Sequence, residues 1–262
     1  MSISSLQGRT ALVTGASSGL GIEFARELAR RGADLILVAR SEAPMQALAQ
    51  ELRASGRTVH VRPADLADPA AREALIAGLA AEGVAIDVLV NNAGFGVFGE
   101  FVQTPWPKLE DMLEVDVVAL THLTRLVLPG MRGRGFGRVL QVASTGAFQP
   151  TPYYAAYAAA KSYVLEFSYA IDAELRGSGV RCTVLSPGVT ATQFFAVSGQ
   201  RPTLYQRVTR MQAPTVARQG VAAMLRGRTG VIAGWANALM AQGTRFMPRR
   251  LAARVAGQLM RN

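Results

Sequence analysis

The chain has 262 residues, half of them apolar, 7% aromatic and 18% charged, with one cysteine and a formal net charge of +10. A charged fraction below the usual ~25% beside an ordinary apolar fraction excludes a disordered or collagen-like chain. Cys182 alone can form neither an intrachain disulfide nor a thiolate metal cluster. The charge is regional: the last acid is Glu174, and Leu175 to Asn262 holds 13 arginines and no acid, leaving 15 basic against 18 acidic groups before it. That asymmetry suggests either an anionic contact for the C-terminal third or a solvated arginine-rich surface. Met1 to Arg9 lacks the charged and apolar regions of a signal peptide, so a reducing, cytoplasmic address is expected.

Aliphatic runs alternate with amphipathic stretches, the pattern of repeated β-α units. Thr10 to Thr14 reads as a buried first strand and Gly19 to Arg31 as a helix. A second strand follows at Asp34 to Ala39, then a helix over Ala43 to Ala54, a third strand at Thr58 to Arg62 and a helix over Ala70 to Ala81. Ala85 to Val90 is the fourth strand, and one helix is expected from about Leu109 to Met131. Gly137 to Ala143 and Val180 to Ser186 are strands five and six, flanking a long helix over Tyr154 to Leu175. A short seventh is expected near Gly230 to Ala233. Near-continuous aliphatic strands imply a sheet covered on both faces. The fold class is therefore α/β: one Rossmann-type domain, doubly wound, with about seven parallel strands and ligands at their carboxyl ends.

Three glycines mark the first strand-to-helix turn, in Thr14-Gly15-Ala16-Ser17-Ser18-Gly19-Leu20-Gly21. Glycine lets backbone approach a pyrophosphate, and a helix N-terminus offers free N–H groups and a positive dipole end. No Gly-Lys-Ser/Thr follows, so this is no P-loop. At the end of the second strand an acid would hold a ribose 2′-hydroxyl, yet the chain reads Val38-Ala39-Arg40-Ser41. A guanidinium there suits a 2′-phosphate, which favours NADP(H) over NAD(H). Tyr157 and Lys161 stand four apart on one helix face, where an ammonium lowers a phenol's pKa toward useful general acid–base chemistry. Ser144, 13 residues before Tyr157, ends the fifth strand and can hold a carbonyl oxygen.

These pieces resemble the short-chain dehydrogenase/reductase (SDR) family over about Leu6 to Thr192, joined by Asp65-Leu66, Asn91-Asn92-Ala93-Gly94, and Pro187-Gly188-Val189 with Thr192. The resemblance implies an oxidoreductase that interconverts a carbonyl and an alcohol by hydride transfer. Ser144 would orient the carbonyl, Tyr157 act as general acid/base, and Lys161 lower its pKa and bind the nicotinamide ribose. Gly15, Ser17, Ser18, Gly19, Leu20 and Gly21 would hold the pyrophosphate. Asp65 with Leu66 would take the adenine amino group, and Asn91, ahead of Ala93 and Gly94, the adenosine ribose region. Val189 and Thr192, after Pro187 and Gly188, would take the carboxamide. Where the family's fourth catalytic residue is an asparagine, this chain has Asp116, a negative charge expected near Lys161. Homodimers or homotetramers are also implied.

An apolar or aromatic carbonyl compound fits the expected substrate contacts, Ser144, Phe95, Phe148, Tyr154 and Phe194, with a lid over about 190–214. Phe98, Phe101 and Trp106 either line that pocket or pack as ordinary core. No histidine pair or acid cluster has metal-ligand spacing, and His60, His122 and Cys182 read as structural. The region 235–262 exceeds the family's commoner ending and resembles the branch with an extended C-terminal tail. Val231 to Ala241 is too short to span a bilayer. In Arg245 to Arg261 an apolar stripe of Met247, Leu251, Val255 and Leu259 runs beside Arg250, Arg254 and Arg261. It suits docking on the protein's own body, a partner groove or a peripheral membrane contact. Two other readings stand beside the enzyme: a catalytically lapsed dinucleotide sensor of the same fold, and nucleic-acid binding, for which no recognition motif is present.

Overall fold

The computed structural model describes residues 5–260. Seven parallel strands form one sheet in the order β3-β2-β1-β4-β5-β6-β7. They are β1 Thr10–Thr14, β2 Asp34–Ala39, β3 Val59–Pro63, β4 Val88–Asn91, β5 Gly137–Val142, β6 Val180–Ser186 and β7 Gly230–Ile232. The order reverses at β1, which pairs β2 on one side and β4 on the other, with Val13 beside Leu37 and Val90. The crevice at such a reversal is where this architecture binds ligands.

Side chains alternate across the strands and fill two cores. Ala11, Val13, Leu35 and Leu37 face one layer, built on α1 (Gly19–Arg30), α2 (Glu42–Ala54) and α9 (Ala213–Leu225). Leu12, Ile36 and Val38 face the other, built on α3 (Pro69–Ala81) and α5 (Leu120–Gly133). Period-two alternation within wholly apolar strands is what burial on both faces demands. Asp68 caps α3 by accepting the Ala70 N–H at 2.9 Å, and Pro69 opens the helix.

The single helix expected over Leu109 to Met131 is instead three pieces. α4 (Trp106–Leu113) runs into a wide π turn at Glu114–Ala119 before α5 begins. The π turn places Asp116 against the backbone N–H of Phe95, 3.0 Å away. Such turns interrupt regular helices mainly at functional sites. The long helix α6 (Ala155–Glu174) carries Tyr157 and Lys161. Beyond β6 the expected lid holds two short helices, α7 (Phe194–Ser198) and α8 (Leu204–Val208), and the tail forms α10 (Trp235–Gly243) and α11 (Arg249–Met260). Arg261 of the expected stripe lies outside the described residues. No described helix is long and apolar enough to cross a membrane.

Candidate active site

The glycine turn is shaped by close approach. Gly15 (φ 66°) and Gly19 (φ 55°) adopt left-handed conformations, and a side chain on Gly21 would collide with the Gly15 carbonyl. A Cβ on Gly15 would lie 2.8 Å from Asn92 Nδ2, and one on Gly19 3.1 Å from Thr192. Ser18, the N-cap of α1, does not cap it with its side chain, and no acid lies in the first turn. The helix end is therefore open to an anion, and the turn fits a dinucleotide pyrophosphate. Thr14 and Asn92 organise this crevice, a role the sequence did not reveal. The Thr14 hydroxyl accepts the Asn92 and Ala93 N–H groups, both at 2.9 Å, while Asn92 Nδ2 donates to the Thr14 carbonyl at 3.0 Å. Arg40 is exposed at the end of β2. Asp65 is exposed at the next strand end and accepts the Ala67 N–H at 3.0 Å.

The Asn91 side chain faces the body. Asn91 Nδ2 donates into the body, to Gln141 Oε1 at 2.9 Å, Thr124 Oγ1 at 3.0 Å and the Leu120 carbonyl at 3.3 Å. Its position as the last residue of β4, one before the chain leaves the sheet, sets that direction. The Asn91 side chain thus ties the sheet to α5.

Ser144, Tyr157, Lys161 and Asp116 do converge. The Ser144 hydroxyl acts on the Tyr157 phenol and favours its ionised form. Ser144 follows β5, caps the turn Thr145–Phe148 and accepts the Gly146 N–H at 3.1 Å. Lys161 is buried, donates to the Val142 carbonyl at 3.2 Å and lies 3.1 Å from Asp116 Oδ2, with its ammonium 5.7 Å from the Tyr157 ring centre. The Asp116 carboxylate fills the space beside Gly94, where any side chain would strike it.

Burial and Asp116 dominate the electrostatics of the phenol. Burial pushes the Tyr157 phenol above its ordinary value, Asp116 pushes it further, and Ser144 only partly opposes them. Lys161, the expected source of a lowering, is itself paired with Asp116. Burial likewise raises the Asp116 carboxyl, opposed by Lys161 and by the Phe95 N–H.

An aromatic roof covers Tyr157. Its ring lies 5.7 Å from Tyr154 and 5.4 Å from Phe194, and Phe98 joins through Tyr154 at 5.2 Å. Gly96 admits Phe194, since a Cβ there would sit 2.6 Å from the Phe194 ring. Phe95 and Tyr157 both pack against the cluster of Val97, Leu109 and Met112. Phe148, at the end of the turn after Ser144, packs against the cluster of Leu120, Ala143 and Val164. Phe101 and Trp106 are exposed. Tyr153, at φ 66°, is a non-glycine residue in the left-handed region and carries backbone strain beside the roof.

The roof is wired to the tail. The Tyr154 hydroxyl lies 3.0 Å from both Ser198 Oγ and Gln200 Oε1. Gln206 Nε2 donates to the same Gln200 oxygen at 2.9 Å, and Gln200 Nε2 donates to the Met260 carbonyl, in the last described turn of α11, at 3.2 Å. Ser198, Gln200 and Gln206 are all buried.

Comparison with known proteins agrees with this geometry. The short chain dehydrogenase family model matches residues 9–202, and the chain belongs to that family of oxidoreductases. The ketoacyl reductase HetN of Nostoc sp. is 31% identical over 215 residues, 82% of this chain and 71% of that protein. A short-chain dehydrogenase from Sphingobium yanoikuyae, solved in complex with NADPH, superposes with a TM-score of 0.81 at 32% identity, covering 94% of this chain and 98% of that one. A 3-ketoacyl-(acyl-carrier-protein) reductase from Brucella melitensis, complexed with NADH, gives 0.78 at 26% identity, covering 87% and 97%. A nicotinamide dinucleotide is thus the cofactor class; the choice of phosphate is a finer matter.

Proposed function

We propose that this protein is an NADP(H)-dependent reductase of ketones or aldehydes on apolar or aromatic substrates, acting in the cytoplasm. The observation that carries the reading is the Tyr157 ring set against those of Tyr154 and Phe194, with the buried Lys161 ammonium 5.7 Å from its centre and Ser144 acting on its phenol. Bound NADPH would supply the hydride that reduces the carbonyl carbon. Ser144 and Tyr157 hold the carbonyl oxygen, and Tyr157 delivers the proton that completes the alcohol. Lys161, fixed by Val142 and Asp116, is the group for the ribose hydroxyls. The roof excludes water and selects an apolar substituent.

Arg40, exposed and without an acid in its place at the end of β2, supports the 2′-phosphate preference. Val118, Tyr163 and Tyr169, exposed on the π turn and α6, support association into a homodimer or homotetramer. The ketoacyl reductases among its relatives make acyl thioesters the first substrates to try. The test is NADPH and NADH oxidation across ketones, aldehydes, steroids and 3-oxoacyl thioesters, with Tyr157→Phe as control. NADPH-dependent turnover that the variant loses supports the reading. The pairing of Lys161 with Asp116 favours a second reading, a dinucleotide sensor without chemistry; NADPH binding with no Tyr157-dependent turnover on any substrate would establish it.

A further inference from the structure

Helix α11 meets the body through its small residues. Ala252, Ala256 and Gly257 are buried, and Gly257 packs against Pro152. The larger side chains are left outside: Leu251 is 48% exposed, and Val255 and Leu259 are each 39% exposed. The apolar stripe is therefore only partly used in docking this helix onto its own protein. The preceding segment repeats the arrangement, with Trp235 83% and Leu239 68% exposed, four residues apart on α10, and Phe246 91% exposed in the connection. Side chains of this size standing in water over two successive elements mark an interaction surface.

Charge chooses the partner. Arg245, Arg249, Arg250 and Arg254 are exposed among these apolar groups, and no acid occurs anywhere after Glu174. A two-fold contact between copies sets the same face against itself, so it would bring arginine against arginine with no carboxylate to offset them. An anionic lipid surface answers both features: phosphates for the guanidinium groups, and an acyl boundary for the aliphatic and aromatic side chains. We propose that α10, the connection and α11 form a peripheral docking surface for an anionic lipid bilayer, binding in the interface without spanning it.

Vesicle flotation of the full chain tests this, using phosphatidylcholine alone and phosphatidylcholine with about one-third phosphatidylglycerol, at low and high salt. The protein is expected to float only with the anionic vesicles and less at high salt. The Leu251→Gln/Val255→Gln/Leu259→Gln variant should lose about tenfold in bound fraction while keeping its circular dichroism and NADPH titration. Should that variant fold poorly, Arg250→Gln/Arg254→Gln, two exposed changes, is expected to give a similar loss. No flotation of the parent, or equal flotation of correctly folded variants, overturns the proposal. So does a drop in oligomer mass in the triple variant without parent flotation, which gives the face to a second copy, or binding to a DNA duplex but not to vesicles. Flotation does not read turnover, so it stands or falls apart from the reductase activity.

Discussion

Asp116 and Lys161 form a buried ion pair 3.1 Å apart, and the negative partner also acts on Tyr157, whose phenol it helps to hold above its ordinary value. Asp116→Asn removes that charge and frees the ammonium, and both changes pull the Tyr157 pKa down. Alcohol oxidation, which needs the phenolate, should then gain activity at lower pH. Carbonyl reduction, which needs the phenol, should fall off sooner as pH rises. Pairs of kcat/KM–pH profiles check this, and superimposable profiles would contradict it. Tyr157→Phe should lower kcat by about 10²- to 10⁴-fold, the usual worth of a positioned acid, with NADPH affinity retained. Arg40→Ala is expected to raise KM for NADPH about tenfold, the loss of one charge-assisted contact, and to leave NADH unchanged; equal effects on both would remove Arg40 from the 2′-phosphate.

Among the elements, α11 is far from Tyr157 in sequence yet joined to it by a chain of buried amides through Gln200 and Tyr154. Gln200→Leu breaks the link to the Met260 carbonyl and leaves the Gln206 amide only the weak Met260 sulfur as acceptor. The roof should loosen, raising substrate KM several-fold while NADPH affinity stays, because the glycine turn lies on another element. Steady-state kinetics beside a fluorescence titration separate the two effects, and an unchanged KM would show that the amides only stabilise the tail. The strands and the glycine turn were legible in the sequence because burial on both faces and a pyrophosphate turn leave local signatures. The π turn was not, since Val115, Val117 and Val118 read equally well as regular helix. Only the Phe95 N–H and Lys161, distant in sequence, explain why the helix widens at Asp116.

For the molecule as a whole, the sheet encloses Cys182 on β6, between β5 and β7, with no exposed surface. Burial, with Asp172 adding to it, pushes the thiol up to about 12. Aromatic disulfide reagents should label it only at the rate of global opening, so labelling followed across denaturant measures the stability of the whole sheet. Rapid labelling of the native protein would mean that the β7 edge of the sheet opens on its own. Composition, strand periodicity and the glycine turn determined the fold class and the cofactor class, and the order of Ser144, Tyr157 and Lys161 marked out the proposed catalytic trio, because each rests on local pattern and short spacing. Long-range packing decided the rest: Asn91 turning into the body, Phe148 packing against the cluster of Leu120, Ala143 and Val164, Lys161 engaged by Asp116, and α11 docking through alanines so that its leucines stay partly exposed. A helix with an apolar stripe and a flank of small residues can seat either side. Which side it buries depends on the shape it meets, here Pro152 against Gly257, and no sequence window contains that.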